Sequence, residues 1–327
     1  MPGRVVILLG PQTDPHLVHL ADALAARGVD HRRIDSRGSA TALGLRYAPE
    51  TGAGTLGNVD LDDIGGVFVK ALPPRNPLLP IASGASFSPD DVRVAEAEGG
   101  ALRDTLCAVL VELAARSIPV LNVPPRGVAE QQKPYQLAVA RRAGLSVPRT
   151  LLSCDPEEAA AFIDTLDQES ARCIAKPVRG GSFASFVSAN DVRLASLVRA
   201  PVILQRYIEG EELRVYVHDG EVLGAARISG TDAADHRSDP VYRSGAACYT
   251  KERLAADVQL KLFALLSALE LRFAAVDLRV EAKTGVHWFL EANAAPAFLE
   301  FESRTGYPIT DTLATVLGNQ ALSNRDA

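Results

Sequence analysis

The stretch FLEANAAPAF, residues 289–298, sets Glu291 and Asn293 two positions apart between apolar residues. On an extended strand this spacing puts both side chains on one face and Ala292 on the other. The run FAAVDLRVE, residues 273–281, reads as the other strand of a pair closed by the turn AKTG, and brings Asp277 toward the same end of the sheet. Three oxygen-bearing side chains so placed suit magnesium, which takes hard oxygen ligands and completes its shell with water and nucleotide phosphate. A second reading stands level with it on these residues. Asp277 then caps a turn, Glu291 pairs with an arginine, and Asn293 turns the chain ahead of Pro296.

Upstream, residues 203–228, ILQRYIEGEELRVYVHDGEVLGAARI, alternate charged and apolar positions as antiparallel strands do, with His218-Asp219-Gly220 as the turn. On such strands Arg214 and Arg227 share a sheet face and reach a triphosphate together; two solvated surface arginines are the equal alternative. RCIAKPV, residues 172–178, is a strand carrying Lys176, and RGGSFASF follows it with Gly180, Gly181 and Ser182. Glycines let backbone N–H groups approach an oxyanion, although a Gly-Gly-Ser tip is more often a plain tight turn. The helical stretch DPEEAAAFIDTLDQ, residues 155–168, begins at Asp155 as its cap, and ANDVRLASLV, residues 189–198, reads as another helix.

The first third alternates strand and helix: VVILLG at 5–10, then the helix HLVHLADALAARG, GGVFVKAL at 65–72, a helix over 101–117, and IPVLNV at 118–123. Residues 71–100, rich in proline and glycine, read as a substrate-facing loop. SNRDA, residues 323–327, reads as an untethered tail. The expected organisation is an N-terminal α/β domain over 1–123, a central part over 124–203 and a C-terminal part over 204–327. With 327 residues, 47% hydrophobic, 23% charged and a net charge of −6, the chain is expected to be a cytoplasmic protein that binds neither nucleic acid nor membrane. Its four cysteines, Cys107, Cys154, Cys173 and Cys248, show neither CxxC pairs nor metal-ligand spacing, as in a reduced interior.

The order of these features carries a resemblance. Lys133 after an LNVP strand, KP after the middle strand, the glycine-rich loop, QRYIEGEELRV, AARI, VDL and FLEANAAP follow one another over about residues 118–317 as in the ATP-grasp superfamily. The pattern most resembles its branch of ribosomal protein S6 glutamate ligases, glutathione synthetases and ATP-grasp peptide maturases. The resemblance implies an α/β (α+β) ATP-grasp fold and an ADP-forming ligase that joins a carboxylate, through an acyl-phosphate, to an amine or hydroxyl. It implies ATP and magnesium, two ions with manganese as a substitute, and a small-molecule or peptide substrate; a homo-oligomer is compatible with it. It places Lys133, Lys176, Gly180, Gly181 and Ser182 at the phosphates, Gln205, Arg206, Tyr207 and Ile208 at the adenine, and Glu212 near the ribose. Arg214 and Arg227 hold the γ-phosphate, and Asp277, Glu291 and Asn293 take the metal. A phosphotransferase, or a nucleotide-binding protein without catalysis, would share these residues. Arg206 stands where the family commonly has an acidic residue, and Asp239, after Arg237, stands where it has asparagine.

Overall fold

The computed structural model describes residues 4–74, 88–124, 132–178, 183–229, 240 and 244–322. The chain forms two compact units, Met1–Pro125 with Ala295–Ala327, and Arg126–Ala294. Residues 323–327, read from sequence as a tail, lie outside the described residues.

In the first unit, VVILLG forms β1 (Val5–Gly10), an apolar run that suits a parallel strand buried on both faces. Asp14 caps α1 (Pro15–Ala26) by accepting from the N–H groups of His16 and Leu17. β2 (His31–Asp35) follows, then β3 (Arg46–Ala48), β4 (Ala53–Leu56) and β5 (Val59–Asp60), which make a small antiparallel sheet. β6 (Ile64–Val69) returns to the other side of β1.

The expected loop over 71–100 is corrected in its last part, where α2 spans Pro89–Ala115; residues 75–87 of it lie outside the described residues. Ser88 and Asp91 form a reciprocal capping box, and Pro89 sits in the first turn, where its missing N–H costs nothing. α2 lays Leu106, Val109, Leu110 and Leu113 on Ile7, Leu9, Val67 and Val69. β7 (Val120–Leu121) completes the parallel order β2-β1-β6-β7.

The second unit opens with α3 (Lys133–Arg142). β8 (Thr150–Ser153), α4 (Pro156–Gln168), β9 (Cys173–Pro177), β10 (Ser185–Val187) and β11 (Val202–Arg206) build an antiparallel sheet of order β10-β9-β11-β8. Asp155 caps α4 as expected. Residues Val192–Arg199 are 3-10 helix rather than α-helix. Leu194, Leu197 and the α4 residues Ala159, Ile163 and Leu166 cover one face of this sheet.

A second antiparallel sheet runs β14-β13-β12-β15-β16 and comprises β12 (Gly210–His218), β13 (Glu221–Ser229), β14 (Cys248–Lys251), β15 (Phe273–Glu281) and β16 (His287–Asn293). Asp219 and Gly220, at φ of 43° and 80°, make the two-residue turn between β12 and β13. α3 and α5 (Ala256–Ala268) cover one face, packing Leu137, Leu262 and Leu265 on Leu213, Val215, Val276, Leu278 and Phe289. The other face carries Arg214, Tyr216, Asp277, Glu291 and Asn293.

The chain then rejoins the first unit through α6 (Leu299–Thr305), which ends at the left-handed Gly306, and α7 (Ile309–Leu322). A Cβ on Gly65 would lie 2.9 Å from the Ala321 Cα, and one on Gly66 3.0 Å from the Leu317 carbonyl oxygen. The two glycines therefore let α7 lie directly against β6.

Among the described residues no cysteine is in a disulfide. No helix among the described residues is long and apolar enough to cross a membrane.

Three histidines give stability a pH dependence. Burial is the largest influence on His16, His218 and His287, and it lowers each pKa below the ordinary value. The unfolded chain takes up these protons near pH 6.5 while the folded chain still resists them. Their contribution is complete above that pH and falls as the pH drops toward the folded values. The expected result is a lower unfolding midpoint at pH 5.5 than at pH 7.5 in thermal scans; equal midpoints would contradict it.

Candidate active site

The expected metal residues converge on the face of the five-stranded sheet opposite α3 and α5. Arg214 lies directly across from Asp277, and Asp277 directly across from Glu291. This alignment depends on a bulge. Asp277 pairs with Glu291 but Leu278 pairs with Phe289, so Leu290 is an extra residue on β16. Without it, Phe289 and Glu291 would point the same way; with it, Phe289 enters the core and Glu291 faces Asp277.

Around this pair the polar contacts are dense. Asn293 Nδ2 donates to Asp277 Oδ2 at 3.0 Å and to Glu291 Oε1 at 3.5 Å. Lys133 Nζ, from the first turn of α3, is 3.0 Å from Glu291 Oε2, with both side chains about 15% exposed. Arg214 Nη1 is 3.3 Å from Asp277 Oδ1, and its Nε donates to the Tyr216 hydroxyl at 3.0 Å. Burial works against the Arg214 charge, but Asp277, Tyr216 and Glu212 outweigh it and hold its pKa above the ordinary arginine value. Two carboxylates thus lie against two cations, which balances the charge of a largely buried cluster.

Among the described residues, no three His, Cys, Asp or Glu side chains gather as metal ligands. Asp277 and Glu291 with the Asn293 carboxamide are nevertheless the donor set that fits magnesium, which takes one or two carboxylates and leaves its other positions to water and phosphate.

Arg227 departs from expectation. An unbroken hairpin continuing the pairs His218–Glu221 and Val217–Val222 would set Arg227 across from Glu212, on the Arg214 face. Instead Tyr216 pairs with Gly224, so Leu223 is extra and the register slips by one. Arg227 lies across from Leu213, on the face opposite Arg214. There it bonds Glu252, and its Nη1 is 3.3 Å from Glu211. The hydrogen bonds to Glu252 are the largest influence on its pKa, which is raised despite burial. We expect Arg227→Gln to change ADP formation by no more than about threefold, like other substitutions remote from the reacting groups. A loss comparable to that of an Arg214 variant would show that Arg227 reaches the nucleotide after all.

The remaining expected residues lie mainly on the smaller sheet. Lys176 sits across from Ile203 on the face that α4 does not cover. The Gln205 amide donates to Thr150 Oγ1 at 2.8 Å. Arg206 lies over Trp288 and 3.6 Å from Glu281, and its N–H donates to the Arg149 carbonyl. The Arg172 and Arg279 guanidiniums lie 4.6 and 4.5 Å from the centre of the Tyr207 ring, whose hydroxyl accepts from Arg279. Ile208 is buried, and Glu212 is buried across from Arg279. Gly180, Gly181, Ser182, Arg237 and Asp239 lie outside the described residues.

Sequence reasoning missed Tyr216, Arg279 and Gln136. The last carries a local signal, since it follows Lys133 by three residues and shares its helix face. Its side-chain amide donates to the Ala292 carbonyl and accepts from the Ala292 N–H, both at 2.9 Å.

Known proteins resemble this chain in sequence and in fold. A protein of Mannheimia succiniciproducens named "Probable alpha-L-glutamate ligase" is 28% identical over 222 residues, 64% of this chain and 71% of that one. The ATP-grasp ligase PsnB complexed with a minimal precursor superposes with a TM-score of 0.80 at 27% identity, covering 98% of this chain and 99% of that one. The macrocyclase MdnC of Microcystis aeruginosa MRC, bound with its precursor peptide MdnA, shares the fold at a TM-score of 0.77 and 21% identity, over 96% and 99% of the two chains. Residues 130–317, from just before α3 into α7, match the RimK-like ATP-grasp domain, and by that match the chain belongs to the RimK-like ATP-grasp family.

Proposed function

We propose that this protein is an ADP-forming ligase that activates a peptide carboxylate as an acyl-phosphate and transfers it to an amine or hydroxyl. The observation that carries the reading is the bulge-set alignment of Glu291 with Asp277, flanked by Lys133 and Arg214. Support for a peptide comes from PsnB, solved with a minimal precursor and, as a separate complex at 26% identity, with precursor, Mg and ADP.

In this reading Asp277, Glu291 and Asn293 hold magnesium, two ions replaceable by manganese, which supplies charge neutralisation at the transferring phosphoryl group. The two sheets of the second unit grip the nucleotide. Lys133 and Lys176, with Gly180, Gly181 and Ser182, meet its phosphates. The Arg206 N–H is taken by Arg149, so Arg206 would meet the adenine through its carbonyl, beside Gln205, Tyr207 and Ile208. Glu212 would meet the ribose. Arg214, charged at any working pH, faces the γ-phosphate and stabilises charge as the substrate carboxylate attacks in line. The acceptor nucleophile then displaces phosphate, and no protein nucleophile is required. The chain's residues act by positioning and by charge.

Incubation with ATP, Mg2+ and short peptides carrying Asp or Glu beside Lys, Ser or Thr tests this. Mass spectrometry is expected to show loss of water from the peptide, matched by ADP and phosphate release. Phosphoryl addition without condensation would assign a phosphotransferase instead.

A further inference from the structure

We infer that Gln136 is a positioning residue that fixes the metal-binding segment of β16 by replacing a missing strand; this rests on the ligand roles proposed above for Glu291 and Asn293. β16 is the edge strand of its sheet, laddered to β15 on one side and, on the other, meeting only an isolated bridge between Trp288 and Ser146 among the described residues. Ala292 lies between the two ligands, and its N–H and C=O point outward, away from β15. The Gln136 amide takes both at 2.9 Å, the two-bond exchange that a residue of a neighbouring antiparallel strand would make.

The place of this contact distinguishes it from ordinary satisfaction of a buried side chain. Gln136 is fully buried, and its bonds reach the one residue whose backbone sets the directions of both Glu291 and Asn293. At the other side of the Leu290 bulge, the Phe289 N–H donates to the Ser146 carbonyl at 2.8 Å. The bulge is therefore held from outside at both ends. A bulged edge strand with free outer groups would have two ways to place its extra residue, and each way aims Glu291 differently. Lys133, one helical turn before Gln136, reaches Glu291 itself. The first turn and a half of α3 thus holds one ligand by charge and the backbone between both ligands by a paired hydrogen bond.

Calorimetric binding of ADP to the full chain, with and without Mg2+, tests the assignment in Gln136→Met and in Gln136→Asn, which keeps the amide but withdraws it by one methylene. Metal-free ADP affinity is expected to stay within about twofold of wild type. The strengthening by Mg2+ is expected to shrink by roughly 10- to 100-fold, the usual effect of removing a group that orients metal ligands. A merely structural Gln136 would weaken both affinities alike, and that result, or a full Mg2+ effect in whichever variant folds, would overturn the inference. Absence of any Mg2+ effect in the wild-type protein would instead overturn the metal site itself.

Discussion

Glu291→Gln is expected to lower ADP formation by about a thousandfold or more while leaving the fold in place. Loss of one preorganised charge-stabilising donor alone costs roughly a hundred- to a thousandfold in turnover, and Glu291 would serve as a metal ligand whose charge the amide cannot replace. Glutamine keeps the shape of the side chain and an oxygen for Lys133, now 3.0 Å away, and it leaves the neighbouring Ala292–Gln136 bonds untouched. Lys133 keeps a hydrogen-bond acceptor but loses the charge opposite its largely buried ammonium, so the unfolding midpoint is expected to fall while the chain still folds. Steady-state ADP release and a thermal scan on the same sample decide the matter. If the Lys133–Glu291 pair is only structural, the scan shifts and turnover persists.

The second large effect concerns stability as well as rate. Arg214 and Asp277 are an ion pair with side chains 15% and 8% exposed, and Arg214→Met removes from Asp277 the cation 3.3 Å away. Removing one partner of a buried pair costs about 3–5 kcal/mol, because the other charge stays desolvated without compensation. Arg214→Met is thus expected to be much less stable and to lack turnover. The double variant Arg214→Met/Asp277→Asn separates the causes, since it removes the stranded charge. It is expected to recover most of the lost stability in denaturant titrations and none of the activity. Equal instability of the single and double variants would mean that Arg214 stabilises the sheet through Tyr216 and packing rather than through Asp277.

The site was legible in sequence where strict alternation survives in the structure. Glu291 and Asn293 both lie beyond the Leu290 bulge, so their shared face could be read from spacing alone, and Asp277 followed from simple antiparallel pairing. Arg227 was misplaced because Leu223 interrupts the alternation between it and the turn. The only local hint was Gly224 beside the bulge, a residue type that marks such irregularities in strands. The start of α2 was hidden for a different reason. Pro89, Gly99 and Gly100 look like loop residues one at a time, and only the Ser88–Asp91 cap identifies the helix. The side chains around Tyr207 and the reach of Gln136 to Ala292 join residues far apart in the chain, which no local pattern records.

The return of α7 to β6 has a consequence for synthesis. The first unit is discontinuous: the face of β6 that Gly65 and Gly66 keep clear receives its cover from Leu317 and Ala321. Its sheet leaves the ribosome well before α7, so this face of β6 stays uncovered until α7 emerges, although α2 already covers Val67 and Val69. Arg126–Ala294 is continuous and can complete its core first, which reverses the usual N-to-C order of domain folding. A nascent chain whose residue 294 has just left the ribosome would therefore carry a finished second unit beside an unfinished first one, with that face of β6 still open to chaperones.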